Sequence, residues 1–340
     1  MSMDFKRRLP IPQELKAEMP LSAHHQHAKR ERDAQIARIM FGRDDRLLII
    51  VGPCSADRED AVLEYCERLA RLQERVAEKL LLIPRLYTNK PRTLGVGYKG
   101  MLHQPDPHAE ADVLEGIKAI RRLNLHVIEA TGLFGADEML YPQQHRFVSD
   151  VLSYLAVGAR SVENQEHRLL ASGLDIPVGM KNPLSGSLDA LAHAVFAAQQ
   201  PQSFIYRNWE VESTGNPAAH CILRGFINET GDHANVSQDD LCALLALCRH
   251  NDIVNPAVIV DCNHSNSGKR PELQPRIAHD IMNLRAAQPE LASFIKGFMV
   301  ESYLESGCQD ANGSTFGQSI TDPCLGWEDT EQFLLNLAQA

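Results

Sequence analysis

Short apolar runs alternate with amphipathic stretches along most of the chain from residue 47 onward. The runs are rich in branched or small residues, and they are LLIIVGPCS (47–55), LLLIPRLY (80–87), LAVGARSV (155–162), IPVGMKN (176–182), CILRGF (221–226), AVIVDCNHS (257–265) and IKGFMVES (295–302). Between most of them, stretches such as DAVLEYCERLARLQERVAEK place apolar residues three and four positions apart, as on one face of a helix. This alternation predicts repeated strand and helix units.

The position of one strand is ambiguous in the segment from residue 111 to residue 138. LHVIEA (125–130) and LFGADE (133–138) both qualify, while ADVLEGIKAIRRLNLHVIEATG also fits one long helix that ends at Gly132. We place the strand at LFGADE, which gives eight strands. Eight strands with intervening helices, and no GxGxxG after the first strand, predict an α/β fold of the (β/α)8 TIM barrel type rather than a dinucleotide-binding sheet.

The first 45 residues differ from the rest because they are polar, interrupted by prolines and then helical. We therefore expect an N-terminal arm and helix over residues 1–45 and a (β/α)8 barrel catalytic domain over residues 46–340. No apolar run approaches the roughly 18 residues of a membrane span, and the start lacks the apolar region of a signal peptide, so we expect a cytoplasmic protein without a membrane partner.

Charge and cysteine usage exclude further classes of protein. A net charge of −10 argues against nucleic acid as the main partner, so an anionic ligand needs a local cluster of cations. The eight cysteines lack CxxC spacing in a chain of 340 residues, which argues against a disulfide framework and against a zinc ribbon.

Nearly every predicted strand ends in a polar or charged residue. In chain order these residues are Cys54, Arg85, Glu138, Arg160, Lys181, Arg224, His264 and Glu301. The C-terminal ends of barrel strands share one mouth, and Lys90 and Arg92 add two cations just after the second strand. A single arginine at a strand end is commonly a solvated charge. Six converging cations favour small polyanionic substrates, because carboxylate and phosphate oxygens accept paired hydrogen bonds from guanidinium groups.

The thiol of Cys54 has four interpretations: core residue, redox thiol, nucleophile or metal ligand. His264 and Glu301 end strands seven and eight, which adjoin strand one in a closed barrel, and Asp322 follows the last strand closely enough to reach back. Sulfur, nitrogen and carboxylate donors together predict a site for one divalent metal, namely Mn2+, Fe2+, Co2+ or Zn2+. A nucleophilic Cys-His pair is disfavoured because nothing nearby resembles an oxyanion hole.

Seven segments resemble, in the same order, the motifs of the type I 3-deoxy-D-arabino-heptulosonate 7-phosphate (DAHP) synthases. The segments are GPCSADRED, NKPRTLGVGYKG, VGARSVENQEHRLLASGLDIPVGMKN, ILRGF, VIVDCNHSNSGK, MVESYLESGCQD and SITDPCLGWEDT, between about Asp44 and Thr330. The resemblance implies a metal-dependent, aldol-like condensation of phosphoenolpyruvate with erythrose 4-phosphate, which gives DAHP and phosphate as the first step of the shikimate pathway. It also implies a short hairpin inserted before the sixth barrel strand.

Site residues are carried over from the resemblance position by position. The metal ligands are Cys54, His264, Glu301 and Asp322. The phosphoenolpyruvate site is Arg85, Ala159, Arg160, Lys181 and Arg224, and the erythrose 4-phosphate site is Lys90, Pro91, Arg92 and Thr93. His264 is expected to contact substrate as well as metal. The expected catalytic residues are Lys181 as a proton donor, Arg160 beside the substrate, and Asp261 or Glu138 in proton handling near the metal.

Two alternatives remain beside this hypothesis. One is a related phosphoenolpyruvate-dependent synthase that uses another aldose phosphate, although NKPRT favours the four-carbon sugar over arabinose 5-phosphate. The other is a catalytically silent, anion-binding regulatory barrel, which is disfavoured because no expected ligand is lost.

Departures from the family pattern, such as Ser161-Val162-Glu163-Asn164, leave the ligands in place. These departures favour a divergent copy that serves specialised metabolism. Asp175 and a shortened hairpin region (204–221) favour an enzyme that aromatic amino acids inhibit weakly or not at all. A homodimer or homotetramer is expected.

Overall fold

The computed structural model describes residues 2–92 and 97–339. Within them the helices are α1 (Pro12–Glu18), α2 (Ala23–Met40), α3 (Glu59–Val76), α4 (Val113–Thr131), α5 (Pro142–Val148), α6 (Gln165–Ser172), α7 (Leu188–Gln199), α8 (Gln238–His250), α9 (His264–Ser267), α10 (Gln274–Ala287), α11 (Pro289–Phe294) and α12 (Trp327–Leu337), with a 3-10 turn at Pro271–Leu273. The strands are β1 (Leu47–Gly52), β2 (Leu80–Pro84), β3 (Gly135–Glu138), β4 (Leu152–Val157), β5 (Val178–Lys181), β6 (Ser203–Tyr206), β7 (Trp209–Glu212), β8 (His220–Leu223), β9 (Phe226–Asn228), β10 (Gly231–His233), β11 (Val258–Asp261) and β12 (Ile295–Glu301).

Eight parallel strands form the barrel, which confirms the predicted fold. Their spatial order is β2-β1-β12-β11-β8-β5-β4-β3. The two end strands meet where the Leu86 amide donates to the Ala136 carbonyl at 2.8 Å, and a parallel bridge joins Arg85 to Ala136. Helices between successive strands cover the outside, as in other barrels of this class.

The ambiguous strand lies at Gly135–Glu138, as predicted, and residues 125–130 belong to the long helix α4. The Asp112 side chain caps the start of this helix by accepting from the Glu115 amide. Gly132 ends the helix in the left-handed conformation, with φ of 69°, which glycine adopts without the steric cost of a Cβ atom.

Two hydrophobic clusters stabilise the molecule. The larger one lies between the strands and the outer helices. The smaller one fills the barrel with inward-facing residues such as Leu48, Ile50 and Ile259, and it continues into Ile36 and Ile39 of α2. Helix α2 therefore closes the end of the barrel opposite the mouth. The division into an arm (1–45) and a catalytic domain (46–340) stays a prediction.

Two hairpins are inserted around β8, the sixth strand of the barrel. The hairpin β6-β7 precedes it, as predicted, and exposes Ile205 and Trp209. The hairpin β9-β10 follows it and was not predicted, because its strands have only three residues each and no apolar alternation. Among the helices of the described residues, none has the length and apolar character needed to cross a membrane.

Candidate active site

A cavity of about 400 Å³ lies at the C-terminal ends of the barrel strands. Most of the predicted site residues line it, namely Cys54, Arg85, Lys90, Pro91, Arg92, Glu138, Ala159, Arg160, Lys181, Arg224, His264 and Asp322. Glu301 and Asp261 are fully buried and contact residues of this lining. Thr93 lies outside the described residues. The structure thus brings together side chains that are spread over more than 250 residues of sequence, because the C-terminal ends of parallel strands meet at one mouth.

The donor atoms of Cys54, Glu301 and Asp322 lie within 4.8 Å of one another. Strands β1 and β12 pair so that Gly52 is opposite Glu301, which brings Cys54 next to that carboxylate. A bridge between Ser302 and Leu325 returns the loop that carries Asp322. His264 Nε2 lies 3.8 Å from Glu301 Oε1, at the edge of the same group. One thiol, one imidazole and two carboxylates in this arrangement fit a divalent metal.

Each donor residue of the group formed by Cys54, Glu301 and Asp322 contacts a cation. Arg85 Nη2 donates to Glu301 Oε1 at 2.6 Å, and Lys90 Nζ lies 3.1 Å from Cys54 Sγ. Lys269 Nζ donates to Asp322 Oδ1 at 2.9 Å. Lys269 was missed from the sequence, although it closes the VIVDCNHSNSGK motif. The cluster therefore carries charges that nearby cations partly neutralise.

Burial and these neighbours set the protonation of the cluster. Burial raises the pKa of the Cys54 thiol, and the Glu301 carboxylate raises it further, while Lys90 opposes them. Burial also acts to raise the pKa of Asp322, but the hydrogen bond from Lys269 and the charges of Lys269 and His264 outweigh it, so the pKa of Asp322 is lowered. A bound divalent cation favours the thiolate, because metal ligation requires the deprotonated sulfur.

Three cations surround the ring of Tyr87, which is buried beneath the cavity. The Arg85 guanidinium carbon lies 3.6 Å from the ring centroid, Lys181 Nζ 5.3 Å and Lys90 Nζ 5.9 Å. A ring face attracts cations through its quadrupole, so Tyr87 helps to hold these charges close together. Tyr87 was not predicted as a site residue. The signal that could have found it is the alternation of side chains along extended backbone, since Tyr87 follows Arg85 by two residues and points to the same side.

Arg224 presents a buried guanidinium to the cavity. Its Nη1 has no hydrogen-bond partner among the described residues, and its side chain is only slightly accessible. Burial lowers the pKa of Arg224, although Asp261 and Glu138 oppose this shift. A buried donor without a partner is costly, so this group is suited to an anion that enters the cavity.

Two buried carboxylates lie beside Lys181. Its Nζ is 3.3 Å from Glu138 Oε2 and 3.9 Å from Asp261 Oδ2. Asp261 Oδ2 also lies 2.8 Å from His264 Nδ1. Burial acts to raise the pKa of Asp261, but the charges of His264, Lys181 and Arg85 outweigh it and hold that pKa below its usual range. Burial also acts to raise the pKa of Glu138, but the charges of Lys181 and Lys90 outweigh it, so the pKa of Glu138 is lowered. Lys181 thus donates to Glu138, and the carboxylate of Asp261 lies slightly farther away.

Comparisons with known proteins show the family of this chain. A sequence profile described as the DAHP synthetase I family matches residues 18–335. Two phospho-2-dehydro-3-deoxyheptonate aldolases of Escherichia coli (strain K12) are similar to this chain. The Tyr-sensitive enzyme is 36% identical, over 97% of this chain and 92% of the length of that enzyme. The Trp-sensitive enzyme is 37% identical, over 98% of this chain and 94% of the length of that enzyme.

A solved structure leads to the same family. The phospho-2-dehydro-3-deoxyheptonate aldolase from Francisella tularensis SCHU S4 superposes with a TM-score of 0.91 and 32% sequence identity, covering 100% of this chain and 98% of that one. Both the profile and the relatives extend over nearly the whole length, so the resemblance seen in the motifs is confirmed. The chain belongs to the DAHP synthetase I family.

Proposed function

We propose that this chain condenses phosphoenolpyruvate with erythrose 4-phosphate to give DAHP and inorganic phosphate, as the first step of the shikimate pathway. The observation that carries the proposal is the cavity in which six cations, besides the Lys269 that contacts Asp322, lie directly beside a cluster of candidate metal-binding donors. The six are Arg85, Lys90, Arg92, Arg160, Lys181 and Arg224. Two phosphorylated substrates, one of which also has a carboxylate, match this charge.

The cations divide into two groups by their place in the barrel. Arg85, Lys181 and Arg224 lie deep at strand ends, with Arg160 and the Ala159 backbone beside them, and they bind the phosphate and carboxylate of phosphoenolpyruvate. Lys90, Pro91 and Arg92 lie in the loop after β2 and bind the aldose phosphate. Arg92 Nε donates to the Tyr98 carbonyl at 2.8 Å, which ties this side chain to the loop. Two bound anions held this way meet in a fixed orientation, which lowers the entropic barrier to reaction.

The reaction forms a bond between C3 of phosphoenolpyruvate and the aldehyde carbon, and the aldehyde oxygen takes a proton. Water adds to C2, and inorganic phosphate leaves from the same carbon. Lys181 lies beside Glu138 and Asp261, so its ammonium group is the proton donor that we assign, and the two ionised carboxylates hold it in place. Exclusion of bulk water from the bound substrates would protect the cationic character that develops at C2.

Cys54, His264, Glu301 and Asp322 are the residues that would hold the divalent metal. When bound, such an ion supplies Lewis acidity to an oxygen of the substrate or to water. The mixed sulfur, nitrogen and oxygen donors are suited to Mn2+, Fe2+, Co2+ or Zn2+.

The test is a product assay on the purified chain. With phosphoenolpyruvate, erythrose 4-phosphate and each of these metals in turn, we expect equal amounts of DAHP and phosphate. Arabinose 5-phosphate is run in parallel, because a faster reaction with that sugar would assign the chain to the related synthase. If the chain bound both phosphorylated substrates but formed no product with any of these metals, the catalytically silent regulatory barrel would instead be favoured.

We expect Arg92→Ala to weaken use of the aldose phosphate. Losing one charge-assisted contact costs about 2 to 4 kcal/mol of transition-state binding, which corresponds to roughly 30-fold to 1000-fold in kcat/KM for erythrose 4-phosphate. Steady-state kinetics with each substrate varied in turn measure this effect. Arg276→Ala on the exposed face of α10 is the matched control. A change confined to the KM of phosphoenolpyruvate contradicts the assignment of Arg92.

Oligomeric state and compartment belong to the same proposal. The exposed Ile205 and Trp209 on β6-β7 support a homodimer or homotetramer, since large apolar side chains grouped on a surface favour association. Sedimentation of the purified chain distinguishes these assemblies from a monomer. The cytoplasm stays the predicted compartment.

A further inference from the structure

A buried polar network lies behind the loop that carries Lys90 and Arg92. Asp137 of β3 accepts at Oδ1 from the Thr88 amide (2.9 Å) and at Oδ2 from the Thr88 hydroxyl (2.6 Å). Thr88 Oγ1 in turn accepts from Asn89 Nδ2 (3.2 Å) and Gln144 Nε2 (3.4 Å), and Asn89 Nδ2 donates to Gln144 Oε1 (2.6 Å). The network joins β3, the end of β2 and the start of α5.

All four members are nearly inaccessible, and none lines the cavity. The exposed fractions are 0% for Thr88, 2% for Asn89, 4% for Asp137 and 7% for Gln144. Burying a carboxylate at this position is costly unless its hydrogen bonds are satisfied. Two of the three bonds that Asp137 accepts come from Thr88, so the energy of this buried charge depends on where Thr88 lies.

Backbone pairing with residues 99 and 100 holds the same loop from its other side. Asn89 forms an antiparallel bridge with Gly100, and the Lys90 amide donates to the Lys99 carbonyl at 3.3 Å. Gly100 has φ of 92°, and a Cβ atom there would lie 2.5 Å from the Thr88 carbonyl oxygen. Thr88 and Asn89 are thus clamped between Asp137 and Gly100, directly before Lys90-Pro91-Arg92.

We propose that Asp137, through Thr88, Asn89 and Gln144, is a positioning residue that sets where Lys90 and Arg92 meet the aldose phosphate and so selects its chain length. This rests on the proposed function. Lys90 and Arg92 contact the phosphate at one end of the sugar, and the aldehyde at its other end must reach C3 of phosphoenolpyruvate. The distance between the loop and the floor of the barrel mouth therefore determines which length of sugar fits. Residues 88–90, which these contacts hold before binding, lose little entropy when the sugar arrives.

The substitutions are Asp137→Asn, which retains the size but removes one acceptor, and Thr88→Val, which retains the shape but removes the hydroxyl. In both we expect the KM for erythrose 4-phosphate to rise about 10-fold and the KM for phosphoenolpyruvate to change less than about 2-fold, because a loop that must be ordered on binding costs on the order of a factor of ten. The relative rate with arabinose 5-phosphate should increase. Thr88→Ser retains both donors and should restore the wild-type values.

Ser153→Ala is the matched control. Ser153 donates its buried hydroxyl to Asp33 Oδ1 at 2.6 Å, the same kind of bond at the opposite end of the barrel, so it should alter neither KM. Because burial raises the pKa of Asp137 to about 7, against the hydrogen bonds from Thr88, kinetics are measured at about pH 8.5, where the carboxylate is ionised.

Hydrogen exchange at the amides of Thr88, Asn89, Lys90 and Arg92 tests the positioning without substrate, and it should be faster in Asp137→Asn and Thr88→Val. Unchanged exchange, an unchanged KM for the sugar, or an equal rise in both KM values overturns the proposal. If Asp137→Asn does not fold, Thr88→Val decides alone. Absence of DAHP formation by the wild-type chain would refute the proposed function, and exchange would then still decide whether Asp137 holds the loop.

Discussion

At the scale of single residues, Cys54 is placed by the pairing of two strands. Its sulfur lies within 4.8 Å of carboxylate oxygens of Glu301 and Asp322 and 3.1 Å from Lys90 Nζ. The Cys54 amide donates to Cys324 Sγ at 3.4 Å. A buried thiol with two carboxylate neighbours is a poor nucleophile, because both effects raise its pKa. The same neighbours are suitable co-ligands of a metal, so the ligand interpretation of Cys54 is the one we propose.

We expect Cys54→Ala to bind divalent metal roughly 100-fold more weakly or worse, since it lacks one of four donors. Metal content after dialysis and competition with a chelator measure the loss, and wild-type activity should disappear with chelator and return with metal. Cys66→Ala, which removes a buried thiol from α3, is the control and should retain its metal. Full metal content together with full activity in Cys54→Ala would falsify the assignment.

At the scale of elements, α5 packs against α1, α4 and α6, and its Arg146 lies over the ring of Tyr206 in the hairpin β6-β7. Its His145 is buried, and Nδ1 has no hydrogen-bond partner in the described part of the chain. Burial and, to a smaller extent, the charges of Lys16, Lys29 and Arg207 lower the pKa of His145 to about 4, although Asp150 opposes them. The folded chain therefore binds fewer protons than the unfolded chain between about pH 6.5 and pH 4.

The contribution of His145 to stability is complete above about pH 6.5 and is lost as the pH falls towards 4, by up to about 3 kcal/mol. We expect His145→Gln to reduce this loss when the free energy of unfolding is measured by urea denaturation between pH 4 and 7. Part of the loss remains, because burial also lowers the pKa of His220 to about 4. His279→Gln on exposed α10 is the control. Identical pH profiles for wild type and His145→Gln would show that His145 is not the cause.

At the scale of the whole molecule, the mouth of the barrel and an outer groove are separate. The groove lies between α6 and β6-β7, and its lining includes Phe204, Tyr206, Asp175 and Glu212. Relatives in Escherichia coli are named Tyr-sensitive and Trp-sensitive. The prediction that aromatic amino acids inhibit this chain weakly or not at all concerns this surface, where two carboxylates would repel the carboxylate of such a ligand.

We therefore expect phenylalanine, tyrosine and tryptophan to leave the steady-state rate nearly unchanged. Each amino acid is titrated into the assay with both substrates near their KM values. Asp175→Ser removes one of the two charges, and any sensitivity that appears in this variant identifies charge repulsion as the cause. Strong inhibition of the wild-type chain at micromolar concentration by any of the three contradicts the prediction.

The sequence by itself determined the barrel and the set of residues at its mouth. The alternation of short apolar runs with amphipathic helices can be read from local sequence. It predicts a parallel barrel, and this is sufficient to place Arg85, Lys181 and Glu301 at one end of it. Helix capping likewise decided between two positions for β3, because Gly132 ends α4 before Gly135–Glu138 begins. The family followed from seven ordered motifs, in which no expected ligand is lost.

Only the tertiary structure decided which of these side chains touch. The Asp137 network depends on the path of the loop after β2 and on the angle at which α5 approaches, and neither is encoded in a local pattern. The same holds for Lys269 on Asp322 and for α2 beneath the barrel. Contacts between residues distant in sequence depend on how strands twist and loops return. For this reason a pattern of residue types predicted the chemistry of the mouth but not the contacts that hold its side chains in place.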